Sequence, residues 1–104
     1  MPQLNNFLTE IFLDESLKFL DLKKVDSKIR DQQILRMAIS AEIDAVNMYE
    51  FLSTICIDKK LKKVLLDIAG EEKVHIGEFE ALLESSDDEY VAAKKDGKKE
   101  IKKM

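Results

Sequence analysis

Three side chains in this sequence have the types and spacing to do chemistry together: Glu42, Glu72 and His75. Glu72 and His75 stand three positions apart, so on a helix they project from one face and can hold the same cation. Ile68 lies one turn before the pair and Phe79 one turn after it, so two polar groups interrupt an apolar stripe. Well upstream, Glu42 interrupts a second stripe, with Ala38 on one side and Ala45 and Tyr49 on the other. A carboxylate on the buried side of a helix is costly unless its charge is compensated. A Glu-x-x-His tetrapeptide alone is a weak signal, and a histidine on an apolar face is most often a satisfied core residue. Two such anomalies near the middle of separate helices predict one meeting point, and that pairing carries the reading.

The chemistry it points to is metal binding. Known carboxylate-bridged sites in four-helix bundles take a Glu from each of two helices and a Glu-x-x-His from each of the other two. This chain supplies half that set. A two-fold axis through the site would supply the rest, giving two metals, four glutamates and two histidines. Hard oxygen ligands with imidazole nitrogen suit iron, with manganese or zinc as substitutes. The expected ligands are therefore Glu42, Glu72 and His75, binding two irons per dimer. Glu71, four before His75, rivals Glu72; the three-residue spacing favours Glu72 and leaves Glu71 as a supporting or entry-path carboxylate. Tyr49 is expected beside the centre as a fourth catalytic residue, hydrogen-bonding a ligand or the metal-bound species; the plainer reading is a core tyrosine with a wet hydroxyl. Asp44 and Glu50 read as solvated charges. Gly70 lies close to the site, where its cost of about 1 kcal/mol against Ala points to close approach of another backbone or to simple tolerance.

The elements that must position these residues are all helical. A first helix is expected from about Gln3 to Lys24, with an apolar band too broad for a free surface helix. Val25 to Arg30 form a connection, with Asp26 or Ser27 as N-cap. A second helix follows from about Asp31 to Cys56, with Ile34, Leu35, Ala38, Ala41, Ala45, Tyr49, Leu52 and Ile55 at spacings of three and four. Asp58 caps a third helix, Lys59 to Leu83, whose buried side is read as Leu61, Val64, Leu65, Ile68, Ile76, Phe79, Leu82 and Leu83. Two helices of about 25 residues joined by a short connection make an antiparallel hairpin roughly 37 Å long. Ser86 with Glu89 forms a capping-box pattern that starts a short fourth helix, stopped at Gly97. The division is thus an N-terminal helix and connection (1–30), a helical hairpin (31–86), and a short helix with a lysine-rich tail (87–104).

Composition bounds the rest. The chain has 104 residues, only three glycines and one proline, which favours helix and a single small domain. So small a core predicts that a second copy covers the other face of the hairpin. The formal net charge is −4, yet Lys94 to Met104 carry six lysines against Asp96 and Glu100, leaving an acidic body and a solvated basic terminus. Nucleic-acid binding is not supported, since no arginine cluster, aromatic interleaving or basic face is present in the body. Cys56 is the only cysteine, which excludes an internal disulfide and paired-cysteine zinc or iron sites; it reads as a small buried residue. No signal-peptide pattern or apolar run of membrane-spanning length is present, so no membrane association and a cytoplasmic location are expected.

The stretches Ala41-Glu-Ile-Asp-Ala-Val-Asn-Met-Tyr-Glu50 and Glu71-Glu-Lys-Val-His-Ile-Gly-Glu-Phe79 resemble the two metal helices of the encapsulated ferritins, in the ferritin-like superfamily, with its rubrerythrin-type di-iron half-site. The resemblance covers about Asp31 to Leu83. It implies an all-α, ferritin-like antiparallel hairpin that dimerises into a four-helix bundle, here with an extra N-terminal helix and a short C-terminal helix. It further implies a ferroxidase centre between two subunits, a decameric ring, and an encapsulin nanocompartment in which oxidised iron is stored as mineral. Carried over by match, Glu42, Glu72 and His75 are ligands and Tyr49 adjoins the centre. Met48 replaces a tryptophan common in some members. The C-terminus lacks a Gly-Ser-Leu-type encapsulin-targeting peptide, and the long N-terminal helix replaces a short leader. The expected function is Fe(II) oxidation for storage or detoxification. The alternatives are a rubrerythrin-like peroxide reductase served by a separate electron donor, since this chain has no rubredoxin cysteines, and a non-enzymatic helical interaction module.

Overall fold

A computed structural model describes residues 26–104. The helix expected over Gln3 to Lys24 lies outside the described residues. Asp31–Met104 form one compact unit and Met1–Arg30 another, of which only residues 26–30 are described.

Three helices make up the described chain: α1 (Ser27–Ile55), α2 (Lys59–Ser86) and α3 (Asp88–Lys102). Helix α1 starts four residues earlier than its apolar periodicity suggests, because Asp26 caps it. The Asp26 carboxylate accepts from the backbone N–H groups of Lys28 (2.9 Å) and Ile29 (3.4 Å), satisfying two donors that have no partner inside the helix. Asp58 caps α2 as expected, accepting from the Leu61 N–H at 2.8 Å. Cys56, Ile57 and Asp58 alone separate the two helices, too few to do anything but reverse the chain.

The result is a long antiparallel hairpin, traced by polar contacts from end to end. Gln32 donates to the Ser86 carbonyl (2.7 Å) and Arg36 pairs with Asp87 (3.3 Å). Glu42 meets His75 midway, and Glu50 pairs with Lys73 (3.0 Å) nearer the reversal. As numbers rise along α1 they fall along α2, which sets mid-helix against mid-helix.

The C-terminal end departs from expectation. Ser86 does not cap a new helix; it ends α2, its hydroxyl donating back to the Leu83 carbonyl at 3.3 Å. Asp87 is the cap instead, accepting from the Tyr90 N–H at 3.0 Å, so one residue links α2 to α3. Nor does Gly97 stop the helix. It adds no φ > 0 break, and the end charges favour continuation: Asp88 and Glu89 in the first turn, Lys99 and Lys102 in the last, all complement the helix dipole. The lysine-rich terminus is therefore helical through Lys102. Lys94 ties α3 to α2, its ammonium 2.7 Å from Glu84 and 3.9 Å from Glu80.

The core within one copy is thin. Among the described residues only Val46, Ala69 and Leu83 are buried apolar side chains, with Ser53 beside them. Several residues read from sequence as inward-facing are exposed instead: Ile34, Ile55, Leu61, Val64 and Leu82. Their spacing explains this. Ile34, Ala41, Met48 and Ile55 recur every seven residues along α1, and Leu61, Ile68, His75 and Leu82 do so along α2. These are two seams, and a two-helix hairpin can bury only the seam between its own helices.

Candidate metal centre

Glu42 stands on the middle of α1, and Glu72 and His75 on the middle of α2, one turn apart along the same face. The hairpin register brings all three together. His75 Nδ1 lies 3.4 Å from a Glu42 carboxylate oxygen and 3.5 Å from one of Glu72. One ligand atom from each residue lies within 4.8 Å of the other two, the spread expected of donors converging on one ion. Bonds of about 2.1 Å at tetrahedral angles set neighbouring donors about 3.4 Å apart.

Burial grades across the group. The Glu42 and Glu72 side chains are 22% and 19% exposed, whereas His75 is 48% exposed. Glu42 Oε2 is itself buried and makes no hydrogen bond; the His75 nitrogen is near but not aligned to donate. A buried carboxylate oxygen without a donor costs about 1–3 kcal/mol or more when charged. Two carboxylates facing one imidazole also leave an unbalanced negative charge, even were the imidazole protonated. A cation among them would satisfy both deficits, so the donor set fits a metal of the iron, manganese or zinc kind.

The other residues singled out from sequence fall elsewhere. Tyr49 is half-buried on α1, two turns from Glu42, and makes no hydrogen bond to the group among the described residues. Glu71 is exposed and outside the group. Asp44 is exposed, and Glu50 is occupied by Lys73. Among the described residues a methyl group added to Gly70 would meet nothing within 4 Å, so no described backbone approaches it closely. Cys56 sits half-buried at the end of the hairpin turn, its thiol 3.6 Å from the Ser53 carbonyl.

The group opens onto a cleft of about 450 Å³ lined by Glu42, His75, Glu78, Phe79 and Leu82. Glu78, three residues on from His75, also lines this cleft and lies outside the ligating group.

Comparison with known proteins bears on this site. The family model described as rubrerythrin matches residues 33–103, spanning most of the hairpin and α3. Over 72 residues the chain is 49% identical to the ferritin-like–encapsulin shell fusion protein of Pyrococcus furiosus. That match takes in 69% of this chain and 21% of that protein, so the chain spans about a fifth of the curated relative's length. The crystal structure of the encapsulated ferritin domain from Pyrococcus furiosus superposes with a TM-score of 0.75 at 42% identity, covering 84% of this chain and 89% of that one.

Proposed function

The chain belongs to the rubrerythrin family of ferritin-like proteins, and on that premise we propose that it is a ferroxidase of the encapsulated-ferritin type. It oxidises Fe(II) at a di-iron centre formed by Glu42, Glu72 and His75 from each of two copies. The observation that carries this reading is the convergence of those three side chains around a buried carboxylate oxygen that has no hydrogen-bond partner.

The second copy follows from where the group sits. His75 shares a seven-residue seam with the exposed Leu61 and Leu82 and the half-buried Ile68, and Ile34, Met48 and Ile55 of the other helix are also exposed. A copy related by a two-fold axis would cover this apolar surface and bring the complementary ligands to the same place. When bound, the two irons supply the electron pair that reduces dioxygen to hydrogen peroxide, or hydrogen peroxide to water, with two protons taken up in either case. The carboxylates would hold the charge of the ions, and His75 would supply a ring nitrogen to them. The encapsulin part of the Pyrococcus relative's name supports an encapsulin shell as the compartment for this chain too; a decameric ring is the assembly that the family resemblance implies.

Anaerobic Fe(II) titration followed by air tests the reading: two irons per dimer and a ferric absorbance are expected, and both should be lost in Glu72→Ala. No iron uptake by the native chain would leave only a helical interaction module. Stoichiometric peroxide consumption that requires an added reductant, with no net ferric product, would favour peroxide reduction.

A further inference from the structure

Charge along α2 runs against its own helix dipole. Lys59, Lys60, Lys62 and Lys63 crowd its start, where the positive end of a helix disfavours cations, and no acid stands in its first turn. All four are exposed and make no ion pair among the described residues. Asp58 beside them is taken up as the helix cap. At the reversal Ile57 is 99% exposed, so the hairpin tip is an apolar knob flanked by uncompensated cations.

The other end of the hairpin has the opposite character. Asp87, Asp88 and Glu89 follow one another where α2 gives way to α3. Between α1 and α3 lies a groove of about 390 Å³, lined by Gln32, Arg36, Asp87, Glu89, Tyr90 and Ala93. Arg36 and Asp87 offset each other there. Glu89 in the wall and Asp88 next to it are exposed and make no ion pair among the described residues. Tip and groove stand equally far from the metal-ligating group. Ile57 lies fifteen positions before Glu72 and Asp87 fifteen after it, about 22 Å each way at 1.5 Å per residue. A two-fold axis through that group and across the helices carries the tip of one copy to the level of the other copy's groove. An axis along the helices would instead bring the two lysine-rich tips together. Opposite charges favour the first arrangement, and like charges oppose the second.

We propose that the two copies clasp each other reciprocally: Ile57 of each seats in the partner's groove between α1 and α3, with Lys59 and Lys60 against the partner's Asp88 and Glu89. This rests on the reading of the centre as shared by two copies, and it names what sets the second copy's orientation. Tyr90 and Ala93 supply carbon surface for the knob. The lysines sit at the wrong end of α2 for helix stability because their counter-charge is on another chain.

Sedimentation equilibrium of the full, metal-free chain tests the clasp. Native dimerisation should weaken with salt. Lys59→Glu with Lys60→Glu should weaken it about 10- to 100-fold, as expected when like charges are set across an interface. Helicity of that variant should be no lower than native, since acids suit the start of α2. Asp88→Lys with Glu89→Lys should weaken dimerisation similarly, and all four substitutions together should return it to within about threefold of native, the mark of direct coupling. Native or tighter dimerisation in the lysine variant would overturn the proposal, as would a combined variant no tighter than either pair. A native chain that stays monomeric at every concentration, with Co(II) as without it, would instead reject the shared centre itself.

Discussion

Glu42 occupies a position that the apo chain does not favour. Its inner oxygen is cut off from water without gaining a donor, and the nearest nitrogen is poorly aligned. Stability given up at a site in this way is commonly recovered when the site is disabled. Glu42→Gln should therefore raise the stability of the metal-free protein by roughly 0.5–1 kcal/mol, seen as a higher melting temperature, while abolishing metal uptake. A lower melting temperature in the metal-free variant would show that the carboxylate is structurally supported after all. Tyr49, which makes no hydrogen bond to the group among the described residues, should tolerate Phe with no change in iron stoichiometry. At this scale the Glu42–Glu72–His75 group was legible as a meeting point because burial and charge conflict in it: a Glu between alanines is anomalous in sequence and remains anomalous in the fold. The cleft beside the group was not legible, because periodicity shows which residues share a face but not the space left between them.

The hairpin could be read from its punctuation, Asp58 above all, and from two periodic segments of matching length. The C-terminal helix was legible in its existence but not in its cap or its length. A glycine in a helix interior costs about 1 kcal/mol against Ala, and sequence alone does not show that the charges at both ends of α3 offset it. Because no described residue stands within 4 Å of a Cβ at Gly97, Gly97→Ala should stabilise α3 by roughly that amount, measurable as added helicity and slower amide exchange over Asp88–Lys102. Asp87→Ala removes both the cap of α3 and the partner of Arg36; a loss of about 1–2 kcal/mol is expected from thermal unfolding. Lys94 adds a pH dependence. Its hydrogen bond to Glu84 raises the pKa above the usual lysine value, with the charges of Glu84, Glu80 and Tyr90 assisting and desolvation opposing. A pKa raised on folding stabilises the charged form, so this tether is intact through neutral pH and is lost only as pH climbs beyond about 10.4, the ordinary lysine range. Exchange over α3 should accelerate there in the native chain, and Lys94→Met should lack that step.

For the molecule as a whole, the thin core is informative. Of the side chains read as inward-facing but exposed, Ile34, Ile55, Leu61 and Leu82 recur at seven-residue steps, so periodicity grouped them on a face while saying nothing about which neighbour covers it; Val64 lies off these seams. Among the described residues no helix is long and apolar enough to cross a membrane; in the proposed dimer a second copy covers this surface. The half-site on that seam has a consequence for measurement. If ligands on two chains share the ions, occupancy follows mass action in the protein as well as in the metal. Apparent iron affinity should then tighten as protein concentration rises, and dilution without any chelator should release metal. A cell making too little of the protein would hold disproportionately little iron, and the chain would act as a threshold rather than a linear buffer.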